Sequence, residues 1–173
     1  EDHFCLMHCH IIHCGKPQTF VKGNRHRLRM LHGGNERTKP ILLVLTERKT
    51  RNELIIKLPD KTALSAVTAL NQIERKYGKL FTSIFKSITV DNGCEFSDFA
   101  GLERSIRKGA IRTKLYYCHP YSAYERGSNE NQNKLIRRFL PKGTDFRRVP
   151  PGYIRAVCDW INNLPRKVLD GHS

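Results

Sequence analysis

The sequence has no uninterrupted apolar run approaching the roughly 18 residues that a membrane-spanning helix needs. Its six cysteines, at positions 5, 9, 14, 94, 118 and 158, show no Cys-x-x-Cys pairing, and no basic leader precedes the apolar residues of 1–14. A protein without a membrane span or secretory leader, its thiols free in a reducing cytosol, is the expectation. Acids are scarce: 16 Asp and Glu stand against 31 Lys and Arg, giving a net charge of +15 and a pI near 9.9. No carboxylate occurs between Asp2 and Glu36, and the single Trp is Trp160. The excess bases are dispersed along the chain, which points to a polyanion, DNA or RNA, as partner. That defines a class of partner and not an activity, since ribosomal proteins carry similar charge.

At 173 residues the chain is one domain by length. Residues 1–40 differ from the rest. The first fourteen hold four of the eight His and three of the six Cys. His3, Cys5, His8, Cys9, His10, His13 and Cys14 include zinc-ligand residue types but form no closed tetrahedral pattern. Lys16–Pro40 is polar and basic and shows neither a helical nor a strand period, so it is expected to be disordered or an artefact.

Regular patterning starts at Pro40, giving a division into 1–40, atypical, and 41–173, the core. Ile41–Leu45 and Glu53–Leu58 predict two strands of a hairpin, and Lys61–Tyr77 an amphipathic helix on Leu64, Val67, Leu70 and Ile73, closed by Gly78. Phe81–Phe85 is a connector and Ser87–Val90 a strand. Ser97–Lys108 predicts a helix ended by Gly109, and Lys114–Tyr117 another strand. A helix carrying Glu130 and one from about Gly152 to Asn163 complete the chain. The order is that of an α/β fold with a mixed sheet.

Asp91-Asn92-Gly93 forms a turn just past the Ser87–Val90 strand, where a carboxylate is held by backbone yet open to water and metal. Glu130 shares a helix face with Asn133, Lys134 and Arg137. An acid at a strand end and another at a helix start suit a divalent-metal site for phosphoryl transfer, and they equally suit local stabilisation of a turn and a helix.

The words DNGCEF (Asp91–Phe96), YYCHPYSAYERGSNENQN (Tyr116–Asn133), IRRFLPKGTDF (Ile136–Phe146), WINNLPRKVL (Trp160–Leu169) and LVLTERKTR (Leu43–Arg51) resemble the catalytic core of DDE transposases of the insertion sequence thirty family. The resemblance covers roughly residues 41 to 170. It implies a ribonuclease-H-like mixed sheet flanked by helices, with the first strand here missing or replaced. It also implies three carboxylates holding Mg²⁺ (or Mn²⁺) for cleavage and transfer of double-stranded DNA, both insertion-sequence ends and target. A homo-oligomer working at the nucleoid in the bacterial cytoplasm, with no membrane, is implied as well.

Asp91 matches the second acid of that triad. For the third, Glu125 has the family's usual spacing, with 33 residues between it and Asp91, while Glu130 lies at 38 in a context resembling the catalytic helix of retroviral integrases. Glu130 is preferred, and both remain candidates as catalytic and metal residues. Asn133, Lys134, Arg137, Arg138 and Lys142 are candidates for nucleic-acid contact, or else an ordinary solvated basic face. His119, before Pro120, is expected to be structural.

The first acid is the departure. The family carries it in a Trp-Glu-x-Asp strand about a dozen residues before LVLTER, where this chain reads RHRLRMLHGGNERTKP; Glu36 lies too close to Leu43 to replace it. The expectation is a truncated catalytic-core fragment, inactive alone, against the alternative of a non-catalytic basic DNA-binding module that keeps the fold. Residues 1 to about 35 are expected to come from a shifted reading frame, and loss of a central strand would leave the fold unstable.

Overall fold

The computed structural model describes residues 25–33, 40–118 and 127–165; for His32 and 127–130 it describes the backbone alone. The His- and Cys-rich start, most of Lys16–Pro40, His119 and Glu125 lie outside the described residues.

Five strands form one mixed sheet in the order β3-β2-β1-β4-β5. These are β1 (Arg25–His32), β2 (Ile41–Glu47), β3 (Glu53–Leu58), β4 (Ser87–Val90) and β5 (Lys114–Tyr117). β1 pairs antiparallel with β2 from His26↔Glu47 to His32↔Ile41, and parallel with β4 through Arg25↔Ser87, His26↔Ile88 and Arg27↔Thr89. β4 and β5 are also parallel.

The central strand therefore comes from a stretch expected to lack strand period. The period is there: His26, Leu28 and Met30 alternate with Arg27, Arg29 and Leu31, and the two sets face opposite sides of the sheet. Leu28 and Met30 join Leu43, Leu45, Leu54 and Ile56 in a core closed by Ala66, Ala69, Leu70 and Ile73 of α1 (Ala63–Tyr77). His26 lies against Phe85, ring centroids 4.6 Å apart. On the opposite side Leu31 joins Leu42, Val44 and Ile55 under Ile136 and Leu140 and under Ile154, Val157 and Ile161 of a C-terminal helix, α5 (Pro151–Asn162). Gly33, just past β1, allows close approach to the 144–146 segment: a Cβ there would stand 2.0 Å from the Thr144 carbonyl. The fold is thus a sheet between two helical layers, its first position replaced rather than missing, and no sheet centre is left open.

α1 starts where Thr62 accepts a hydrogen bond from the Ser65 N–H (3.2 Å), and it ends at Gly78, whose φ of 56° suits a residue without Cβ. The connector at 81–85 contains a four-residue helix, α2 (Phe81–Ile84). The helix expected over Ser97–Lys108 is only α3 (Phe99–Glu103), capped by Asp98, whose carboxylate accepts from the Gly101 N–H at 2.8 Å. It stops at Arg104 because the chain there turns into a bridge with Ile111 and the Ser105 N–H donates to the Ala110 carbonyl. Arg112, 1% exposed, fixes this return. Its guanidinium donates to the carbonyls of Leu102 and Gly101 (both 2.8 Å) and to Asn71 Oδ1 (2.5 Å), and it pairs with Glu74 (3.4 Å). α4 (Gly127–Phe139) carries the Glu130 position, as expected.

Candidate functional site: the sheet end at Asp91

β4 is short and apolar, with Ile88 and Val90 buried on the α1 side. Asp91 follows at its C-terminal end and is exposed. The turn is tight: a Cβ on Gly93 would come within 2.5 Å of the Glu95 carboxylate. Glu95 is itself buried and pairs with Lys61 at 3.3 Å, which commits it to the α1 side of the sheet.

Beside Asp91 stands β1. The parallel register Arg27↔Thr89 carried two residues further sets Arg29 alongside position 91 and on the same sheet face. Arg27 and Arg29 are both buried, at 5% and 6% exposure. Arg29 donates to Thr46 Oγ1 (2.9 Å) and pairs with Glu53 (3.4 Å), while Thr46 donates to the same carboxylate at 2.8 Å. Arg27 Nη2 lies 3.4 Å from Cys118 Sγ, and the Cys118 N–H donates to the Val90 carbonyl at 2.9 Å. That places the Arg27 guanidinium over the end of β4, one residue from Asp91. The sheet face under α4 and α5 therefore has an apolar half and a half built from Arg27, Arg29, Thr46 and Glu53.

The other sequence-predicted residues are distributed as follows. Glu130 falls in the first turn of α4 by backbone, and Glu125 lies outside the described residues. Asn133 is half-buried, and Lys134, Arg138 and Lys142 are exposed. Arg137 is half-buried and donates to the carbonyls of Leu140 and Pro141 (3.3 Å each), closing the end of α4; burial lowers its pKa. It has a structural task as well as a charge. What sequence reasoning missed is the quartet Arg27, Arg29, Thr46 and Glu53. The alternation within Arg25–His32 was the signal that could have found its two arginines.

A divalent metal at Asp91, implied by the resemblance, has to be tested against these donors. Mg²⁺ takes oxygen ligands, carboxylates foremost. Among the described residues no three His, Cys, Asp or Glu side chains are grouped so as to hold a metal ion. The position beside Asp91 offers guanidinium groups, which carry only donors and positive charge. The described residues do not fit the metal.

This geometry, an Asp at the end of a parallel strand beside the central strand of a helix-covered mixed sheet, is that of a ribonuclease-H-like integrase catalytic core. The solved structures agree. The catalytic core domain of BIV integrase superposes with a TM-score of 0.56 at 16% identity, over 87% of this chain and 90% of that one. A simian T-cell lymphotropic virus intasome structure, in complex with PP2A regulatory subunit B56 gamma, gives 0.58 at 15%, over 90% of this chain and 53% of that one.

In sequence, the chain belongs to the insertion-sequence transposases, the insertion sequence thirty family among its relatives. It is 37% identical over 130 residues to the transposase for insertion sequence element IS1086 of Cupriavidus metallidurans, covering 75% of this chain and 36% of that protein. It is 36% identical over 135 residues to the IS4351 transposase of Bacteroides fragilis (76% and 37%), and 35% over 128 residues to transposase InsI of IS30A from Escherichia coli (74% and 31%). The chain thus spans about a third of the length of these relatives. No family model matches the chain. No helix among the described residues is long and apolar enough to cross a membrane.

Proposed function

We propose that the chain is the catalytic-core segment of an insertion-sequence transposase that holds double-stranded DNA but does not cut it. The observation that carries this reading is that β1, the strand beside β4, presents two buried arginines, Arg27 and Arg29, and no carboxylate. Strand cleavage and transfer, by resemblance the ancestral activity, needs at least two carboxylates to gather the metal. The Asp91 end of this sheet supplies one among the described residues, and Glu130 or Glu125 could add another from the α4 side. Arg27, its guanidinium over the end of β4, opposes the metal from the strand beside it. The Arg29 arrangement favours the non-catalytic reading over an impaired enzyme.

DNA holding is supported by the +15 charge and by Lys134, Arg138 and Lys142 exposed on and just after α4. Binding to insertion-sequence ends and target, self-association and a place at the bacterial nucleoid belong to this same reading. Plasmid nicking tests it. Supercoiled DNA should be bound at low salt and remain unnicked in Mg²⁺ or Mn²⁺. A metal-dependent nick that disappears in Asp91→Asn would overturn the non-cutting reading, and salt-insensitive or absent binding would overturn the DNA partner.

A further inference from the structure

We infer that the sheet end at Asp91 is closed to divalent metal because β1 supplies fixed positive charge there. This deepens the proposed function and rests on it for what the site descends from. Three observations carry it. Register sets Arg29 alongside Asp91 on the face that α4 and α5 cover. Arg29 supplies no ligand there: its guanidinium is drawn over β2, away from β4, and is held buried by Thr46 (2.9 Å) and Glu53 (3.4 Å). Arg27 adds a second buried guanidinium above the β4 end, against Cys118.

Among the described residues, three acids are engaged elsewhere. Glu53 is taken by Arg29 and Thr46, Glu47 accepts from the Thr50 hydroxyl, and Glu95 is paired with Lys61. A divalent ion approaching Asp91 would meet the Arg27 guanidinium, and like charges repel.

The test is Mn²⁺ titration of the full chain, followed by paramagnetic broadening of backbone amides. No saturable broadening centred on Asp91 is expected at millimolar Mn²⁺; saturable broadening there overturns the inference. Arg29→Asp combined with Glu53→Gln puts a carboxylate next to Asp91 and avoids stranding Glu53. It should tighten Mn²⁺ binding by about tenfold or more, the scale on which ligand surroundings act on metal sites, and Asp91→Asn should abolish the gain. A folded double variant that binds no better than the parent overturns the claim that arginine closes the site. If the double variant does not fold, Arg27→Asp is titrated in its place with the same two outcomes. If neither folds, the parent titration decides. DNA binding is measured separately, so a chain that binds neither DNA nor Mn²⁺ refutes the proposed function while leaving the closed site standing.

Discussion

Arg29 Nη2 and Glu53 Oε1 meet at 3.4 Å across the intervening strand β2, both side chains buried, with Thr46 of β2 bonded to each. The pair ties the middle of the sheet to its β3 edge. Asn162 then ties that edge to α5: its side chain accepts from the Glu53 N–H (2.8 Å) and donates to the Glu53 carbonyl (2.9 Å). One polar column thus links the central strand to the helix that covers it.

Removing one member of this column should cost more than removing both. Arg29→Ala removes the charged partner Arg29 from the buried Glu53 carboxylate, which Thr46 still bonds. The expected loss is roughly 3 kcal/mol, the low end for a broken buried pair because 3.4 Å is a long contact. Arg29→Met with Glu53→Leu replaces the pair by apolar groups of similar size and should lie within about 1 kcal/mol of the parent. Urea unfolding of the three proteins checks this, and a double variant less stable than Arg29→Ala would count against the pair's being costly to split.

Arg112 makes a second test of buried charge. Its fork reaches two carbonyls, an amide and a carboxylate in different directions. Burial lowers its pKa, while Glu74 acts in the opposite sense. A lysine cannot serve all four groups. Arg112→Lys should therefore strand at least one acceptor and cost about 1–3 kcal/mol. Amide exchange across 101–112 should accelerate before the rest of the sheet does; uniform acceleration would show that the return loop is not a separate unit.

The strands β2 and β3 and the helices α1 and α5 were legible because their residues answer to local rules. Ile41–Leu45 is continuously apolar, and Leu70 and Ile73 recur at helical spacing. Gly78 marks where α1 stops. β1 was hidden for a different reason. Three of its eight residues are Arg, and what makes buried arginine tolerable lies outside the strand, in Thr46 and Glu53, 17 and 24 residues away. No local window contains that compensation. The same holds for the Ser97–Lys108 stretch, where the tertiary reach of Arg112 shortened a helix that local pattern favoured. Asp91 was legible as a strand-end acid; the charge of its neighbour was not, because register between β1 and β4 is a property of the sheet.

Salt dependence should separate contact residues from structural ones on and after α4. Each of Lys134, Arg138 and Lys142 that neutralises a phosphate contributes about 0.9 to the slope of log affinity against log salt. Alanine at each should lower the slope by that amount without changing the urea midpoint. Arg137→Ala should instead lower the midpoint, because Arg137 closes α4 through the Leu140 and Pro141 carbonyls. A triple alanine variant with an unchanged slope would move the DNA contact away from this segment.

The encoding DNA offers the last prediction, that residues 1 to about 35 derive from a shifted reading frame. β1 shows how such a shift could survive. Its alternation keeps Leu28 and Met30 in the α1 core, so the strand still fills the sheet centre. On the other face a shift that wrote Arg27 and Arg29 where carboxylates are needed would find a ready acceptor in Glu53 for the second of them. Reading the DNA upstream of the Ile41 codon in the other two frames should reveal a Trp, a Glu and an Asp in the Trp-Glu-x-Asp arrangement over the codons of 25–32. If neither frame contains it, β1 is original to this chain, and its arginines arose by substitution within the strand.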